Sequence, residues 1–272
     1  GQEGFGGGMM VWGSNPTLTN MTITNNTTEY SGGGMYLYQS NPILTNVTIA
    51  DNSGDIGGGM YLYSSNPTLT HVTITNNTAG WDGGGIYLSY SNPILINVII
   101  SNNIVWGCDY TNEYDLGNEY DFCRGGGIFI LGVGEGSIPE FTNVTISNNE
   151  AYIGGGLYFW EVSNDYFGTD FWVPLTFSKL TITKNKSRYG SAIFSAYSNI
   201  NLNQVTITEN EAVEGWEWSN GTIDYTDNLN QTFPACFSII NSIVWNNTIE
   251  ENLGYDCSPE INYSLFNEDA DI

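Results

Sequence analysis

The chain has 272 residues, with 29 acidic against 5 basic side chains and a formal charge of −24. That balance repels phosphate backbones and anionic lipid, so it excludes nucleic acid and membrane surfaces as partners and leaves cations, neutral glycans and basic proteins. No apolar run reaches the roughly 18 residues a membrane span requires, and the abundance of Gly, Asn, Thr and Tyr over helix formers points to strands and turns.

From the N-terminus onward the sequence repeats itself. Glycine triplets begin at Gly6, Gly32, Gly57 and Gly83, at intervals of 26, 25 and 26 residues, and each is followed by Asn-Pro at Asn15, Asn41, Asn66 and Asn92. Between these marks lie short alternating segments such as Met35-Tyr36-Leu37-Tyr38, Ile43-Leu44-Thr45 and Val47-Thr48-Ile49. Gly, Asn-Pro and Asn-Asn separate them and supply the turns. Three short strands per period predict an all-β solenoid in which each copy is one rung of a parallel β-helix. Leucine-rich repeats would need an LxxLxL frame, and propeller blades about 40 residues and four strands. Alternation places Met35, Leu37, Leu44, Val47 and Ile49 inside, on their counterparts about 4.8 Å away in the next rung, and Tyr36, Tyr38, Thr45 and Thr48 outside. No rung buries its apolar face alone, so the copies are stable only as a stack.

Further along, the frame persists while the copies diverge. Gly125 opens GGGIFI, Gly154 opens GGGLYFW, and Gly190 opens the weaker GSAIFSAY, which gives about eight rungs in one domain over 1–272. Rungs are regular over 1–103, carry long insertions over 104–235 and finish over 236–272; the excursions are 104–124, 163–173 and 213–235. The first contains one cysteine pair, Cys108 with Cys123, and the third leads to a second, Cys236 with Cys257. Even number and short separation suit two disulfides, each contributing about 3 kcal/mol, and hence an oxidising compartment outside the cytoplasm. A metal reading needs CxxC-like or His-rich spacing, and His71, the one histidine, is far away in sequence.

The repeated GGGMYL…NPTLTNVTITNN, followed by NSIVWNN (241–247) and INYSLFNEDADI (261–272), resembles secreted bacterial right-handed parallel β-helix proteins of the pectate-lyase-like superfamily. The nearest group carries repeats like those of polymorphic outer-membrane proteins, often with a C-terminal sorting segment. The resemblance spans essentially the whole chain. It implies a right-handed coil and an extracellular or cell-surface location after removal of a secretion signal. It also implies that this chain, which opens mid-rung, is part of a longer product. Such proteins include lyases, hydrolases, adhesins and structural proteins, so the resemblance does not fix an activity.

Enzymes on this fold are similar in using an aspartate cluster for calcium with an Arg or Lys as base, or two or three carboxylates. The regular rungs carry Thr and Tyr outward instead, and the basic cluster Lys184, Lys186 and Arg188 has no aspartate ladder beside it. A non-catalytic structural or adhesive role follows, with a carbohydrate-active or glycan-binding role as the alternative. Two outward aromatic columns are the candidate surface: Tyr36, Tyr61, Tyr87, Phe129, Tyr158 and Phe194 in one, Trp12, Tyr38, Tyr63 and Trp160 in the other. Such rings can stack sugars, pack a second subunit, or simply brace neighbouring strands.

Asn25, Asn52, Asn76, Asn102, Asn148, Asn185 and Asn210 recur after the third strand, where left-handed backbone and amide ladders are both expected. His71 replaces the asparagine found at positions 20, 46, 97 and 143 and reads as a structural variant. Sequons for glycosylation occur at Asn20, Asn25, Asn26, Asn46, Asn76, Asn143, Asn185, Asn220, Asn230, Asn246 and Asn262. No cofactor is expected. Asp109, Asp115 and Asp121 in the first cysteine loop are weak calcium candidates, and solvated charge is the competing account. An open first rung at residues 1–12 would allow head-to-tail self-association into a filament. Cell-surface glycans or proteins are the other partners considered.

Overall fold

A computed structural model describes residues 4–107, 123–132, 139–160, 175–196, 200–212, 223–226, 237–245, 260–262 and 265–266. Every strand pair among them is parallel, and no helix occurs among the described residues. Strands a full period apart are neighbours. The first sheet runs through Met9–Trp12, Met35–Tyr38, Met60–Tyr63, Ile86–Ser89, Ile128–Leu131, Leu157–Trp160, Ile193–Ala196 and Ile223–Thr226. A second joins Thr17–Thr19, Ile43–Thr45, Thr68–Thr70, Ile94–Ile96 and Glu140–Thr142, and Leu175–Ser178, Ile200–Asn203, Phe237–Ile240 and Glu260–Asn262 pair as a separate sheet. The third begins with Thr22–Thr24, Thr48–Ala50, Thr73–Thr75, Ile99–Ser101, Val144–Ser147, Leu180–Thr183 and Thr206–Thr208.

The register is the one the repeat dictates. Met35 pairs with Met60, Leu44 with Leu69, and Ile49 with Ile74, so equal side chains stack along the axis. Inward residues are almost fully buried: Leu37, Leu44, Ile49, Met60, Ile74, Ile100, Ile146 and Ile182 form part of one continuous core. Each such side chain contributes about 1.5–3 kcal/mol by leaving water.

A fourth, shorter sheet joins Ser53–Ile56, Thr78–Asp82 and Ile104–Val105, in a stretch the sequence marks as a turn. Gly and Asp there lower strand propensity, yet the coil above offers a ready row of partners, and pairing overrides propensity. Corners are set by left-handed residues. The first glycine of each triplet is one (Gly32 at φ 74°), and Asn46, Asn97 and Asn143 share a second corner at φ 54°, 54° and 53°. The middle glycine serves a different end, because a Cβ on Gly33 would lie 2.3 Å from the Gly58 carbonyl oxygen.

Asparagine has two separate tasks that the repeat pattern merges. Asn25, Asn76, Asn102 and Asn148 are exposed, left-handed corner residues. The amide ladder is built by the next residue in the frame: Asn26, Asn52, Asn77, Asn103, Asn149, Asn185 and Asn210. The expectation of a single column was therefore wrong in register at four positions, because the corner residue points outward and its successor points in. In the ladder, Asn77 Nδ2 donates to the Ile49 carbonyl and to Asn103 Oδ1, each at 3.0 Å, and Asn77 Oδ1 accepts from the Asn52 backbone and side-chain amides.

Asn77→Ala strands several of these buried groups at about 1–3 kcal/mol each, whereas Asn76→Ala loses only left-handed tolerance, about 1–2 kcal/mol. Urea denaturation followed by circular dichroism should place the Asn77→Ala midpoint well below that of Asn76→Ala. Asn76→Gly should stay near the parent.

Candidate functional site

The first sheet carries the two aromatic columns on its outer face. In the inner column the ring of Tyr36 lies 5.1 Å from that of Tyr61 at an interplanar angle of 3°. The run continues through Tyr87, Phe129, Tyr158 and Phe194 at 4.7–5.2 Å, and Phe5 closes its N-terminal end 4.9 Å from Tyr36. These rings lie outside the coil yet are shielded from water. Ile153 belongs to their buried cluster, and Ile56, Tyr152 and Tyr189 pack against it, leaving Phe129 and Tyr158 only 1% and 2% exposed. It is a second core, laid over the sheet rather than beneath it.

In the outer column Trp12 stacks on Tyr38 at 4.1 Å and Tyr38 on Tyr63 at 5.2 Å. Ser89 and Leu131 then interrupt it before Trp160. Because rings stack on one another along the axis, interior members offer edges and hydroxyls to solvent. Stacking a sugar needs an exposed ring face; Trp12 at the end of this column, and Trp81 and Trp106 away from it, are exposed.

Burial pushes the hydroxyls of the inner column up. Tyr61 is pushed up to about 12, first by desolvation and then by Tyr36 and Tyr63, with a hydrogen bond to Ser89 acting against this. Tyr87 is raised still further, again chiefly by desolvation.

Arg124 and Asp82 are the pair that sequence reasoning missed. The guanidinium Nε and Nη2 donate to the two Asp82 oxygens at 2.9 and 2.8 Å. Its carbon sits 5.0, 5.5 and 5.4 Å from the ring centres of Phe129, Tyr158 and Trp160. Asp82 is 6% exposed. Burial pushes its carboxyl up, against the opposing pull of the Arg124 hydrogen bonds and charge. Desolvation pulls Arg124 down, and the Asp82 carboxylate more than restores it, so the guanidinium stays charged. The signal was present: Asp82 and Arg124 each immediately precede a glycine triplet, and opposite charges at one repeat position become neighbours on stacking.

The remaining expected residues are scattered. Asn20, Asn46 and Asn143 share one exposed corner column with His71 and Asn97, and His71 Nε2 lies 3.2 Å from Asn97 Nδ2. Sequon residues Asn26 and Asn185 belong to the inner ladder, and Asn185 is fully buried. Lys184 meets Glu209 at 3.4 Å across neighbouring rungs. Cys123 is buried against Ala79, Val105 and Ala151. Cys108, Cys236, Cys257, Asp109, Asp115, Asp121, Asn220, Asn230 and Asn246 lie outside the described residues, and Asn262 is known only as a strand position. Among the described residues no group of three or more His, Cys, Asp or Glu side chains could hold a metal ion.

A family model described as right handed beta helix region matches residues 3–131, just under half of the chain. With the parallel sheets, it makes the molecule a right-handed parallel β-helix. No curated protein and no solved structure gives a significant match.

Removing the guanidinium with Arg124→Ala leaves a buried carboxylate unpaired, at a cost of about 3–5 kcal/mol near neutral pH. With the guanidinium gone, burial is opposed only by the backbone N–H of residue 124, and the Asp82 pKa in the folded variant rises above its unfolded value. Stability is then greatest below the unfolded pKa and is lost as pH rises through the folded one. Denaturation of Arg124→Ala against pH should therefore show part of the loss recovered on acidification. The tyrosines follow the same sign at the other end of the scale: stability should decline as pH climbs from about 10 toward about 12. Spectrophotometric titration should show a late, unfolding-linked class of phenolates.

Proposed function

We propose that this chain is a non-catalytic structural or adhesive rod of the cell surface, exported and held in an oxidising environment. The observation that carries the reading is that polar side chains of the regular rungs bond chiefly to their own copies. Asn20 receives Asn46, Asn97 receives Asn143, and Asn52, Asn77 and Asn103 are joined in series. The buried carboxylate of Asp82 is likewise committed to Arg124. Groups fixed in this way stabilise a scaffold and are unavailable as acid, base or nucleophile. In this reading Cys123 pairs with Cys108 and Cys236 with Cys257, each bridge tying down a surface loop. Exposed sequons at Asn20, Asn46 and Asn143 are the preferred positions for any glycan. Head-to-tail joining of rods is the self-association this reading allows.

A carbohydrate-binding or carbohydrate-active role is the second reading. It draws on the exposure of Trp106 (67%), at the start of the first insertion, and of Trp81 (42%), whose carbonyl accepts from Arg124 N at its end.

Incubation with neutral and acidic polysaccharides, with and without calcium, separates the two. A structural rod releases no reducing ends and no unsaturated uronates, and Trp81→Ala with Trp106→Ala leaves its adhesion to cells unchanged. Product release, or glycan retention lost in the tryptophan variant, would establish the second reading.

A further inference from the structure

The third sheet has the most uniform outer face of the three; the second carries threonine at six of its ten outward positions, interrupted by Ile43, Ile94, Ile96 and Glu140. The outward positions of the third sheet over the seven strands from Thr22–Thr24 to Thr206–Thr208 form two columns in register. Ten of these fourteen positions are threonine; the others are Ala50, Ile99, Ser101 and Ser147. None is charged, on a chain with 29 acidic residues. β-Propensity accounts for a threonine at one such position, but it equally admits Val, Tyr or Phe. Charge reappears only at the corners, at Asp51, Lys179, Lys184 and Glu209, and the array ends at the bulky, exposed Ile243 and Trp245.

The array is also held rigid. Behind it the inward residue is isoleucine in all seven strands, from Ile23 to Ile207, each nearly or fully buried. The amide ladder from Asn26 to Asn210 pins the register immediately after each strand. Side-chain ladders of this kind are what keep a multi-stranded sheet flat. Along the axis the side chains recur at about 4.8 Å, and along each strand at about 6.7 Å. Every threonine carries one methyl and one hydroxyl able both to donate and to accept; the hydroxyls of Thr24, Thr75 and Thr183 already share a bond with Asp51, Ser101 and Thr208, and each keeps capacity for water.

We propose that this face binds ordered water at the surface of ice. Its two repeats lie close to those of oxygen on a prism face of hexagonal ice. Methyls can order the first water layer while hydroxyls anchor it, and the lack of charge leaves no strongly hydrated ion to break the match. Neither the rod reading nor its alternative is needed for this, because the site lies on a different sheet from the aromatic columns.

The test uses the full chain. Thermal hysteresis and ice-crystal shaping are measured for the parent, for Thr73→Lys/Thr183→Lys on the third sheet, and for Thr68→Lys/Thr142→Lys on the second, which carries the same added charge. Thermal melts check folding of each. The parent and the second-sheet variant should shape ice and depress its growth, and the third-sheet variant should fall to the level of buffer. Fluorescently labelled parent frozen onto a single ice hemisphere should stain prism planes, a readout that needs no variant. Absence of shaping and staining by the parent would overturn the proposal. So would equal loss in both variants, or retention of the parent on crystalline chitin or cellulose but not on ice.

Discussion

Backbone pairing between rungs is the constraint on which the molecule rests. In a parallel coil each amide and carbonyl looks along the axis, so a rung has no partner except the rung before and the rung after. Met35 N reaches the Gly59 carbonyl and Met60 N the Gly85 carbonyl, both at 2.9 Å, and the same bond recurs from rung to rung. Once backbones are matched one period apart, side chains have no freedom of register. Leucine must meet leucine, and tyrosine must meet tyrosine. Core, ladders and aromatic columns are consequences of that single alignment.

The alignment also explains which features were legible beforehand. Strand positions, inward residues and the stacking of Tyr36, Tyr61 and Tyr87 follow from the period alone, because a residue one repeat away becomes a spatial neighbour. The lid over those tyrosines did not follow. It comes from Ile56, Ile153 and Tyr189, in the segment that precedes each glycine triplet, and that segment reads locally as a turn. The asparagine ladder failed for a subtler reason. Asn-Asn offers two adjacent amides of identical chemistry, and only the backbone dihedral decides which is corner and which is ladder. Asp51-Asn52 and Lys184-Asn185 held the answer, since their one asparagine occupies the second place.

Stacking turns conformational strain into a shared device. Each rung must turn at its corners, and left-handed residues are used for this with Gly, Asn, Asp, Gln, Ser, Lys and His all represented. His71 is tolerated because its neighbours need only a ring nitrogen within reach of Asn97. The middle glycines are not interchangeable in the same way, since a methyl at Gly33 would push directly on the carbonyl of the next rung. Corner identity can therefore vary from copy to copy, while the glycine approach carries a steric condition that the chain meets by repetition.

Copy-on-copy alignment has an electrical consequence as well. A carboxylate placed in a regular column faces its like about 4.8 Å away, so acid is expelled from the most repetitive part of the rod. Only five of the 29 acidic residues, and none of the five basic ones, fall within residues 1–103. Charge is therefore uneven along the sequence, with a formal −5 over residues 1–103 and −19 over residues 104–272. In dilute electrolyte two such bodies would repel through their anionic halves and approach most freely through the weakly charged one.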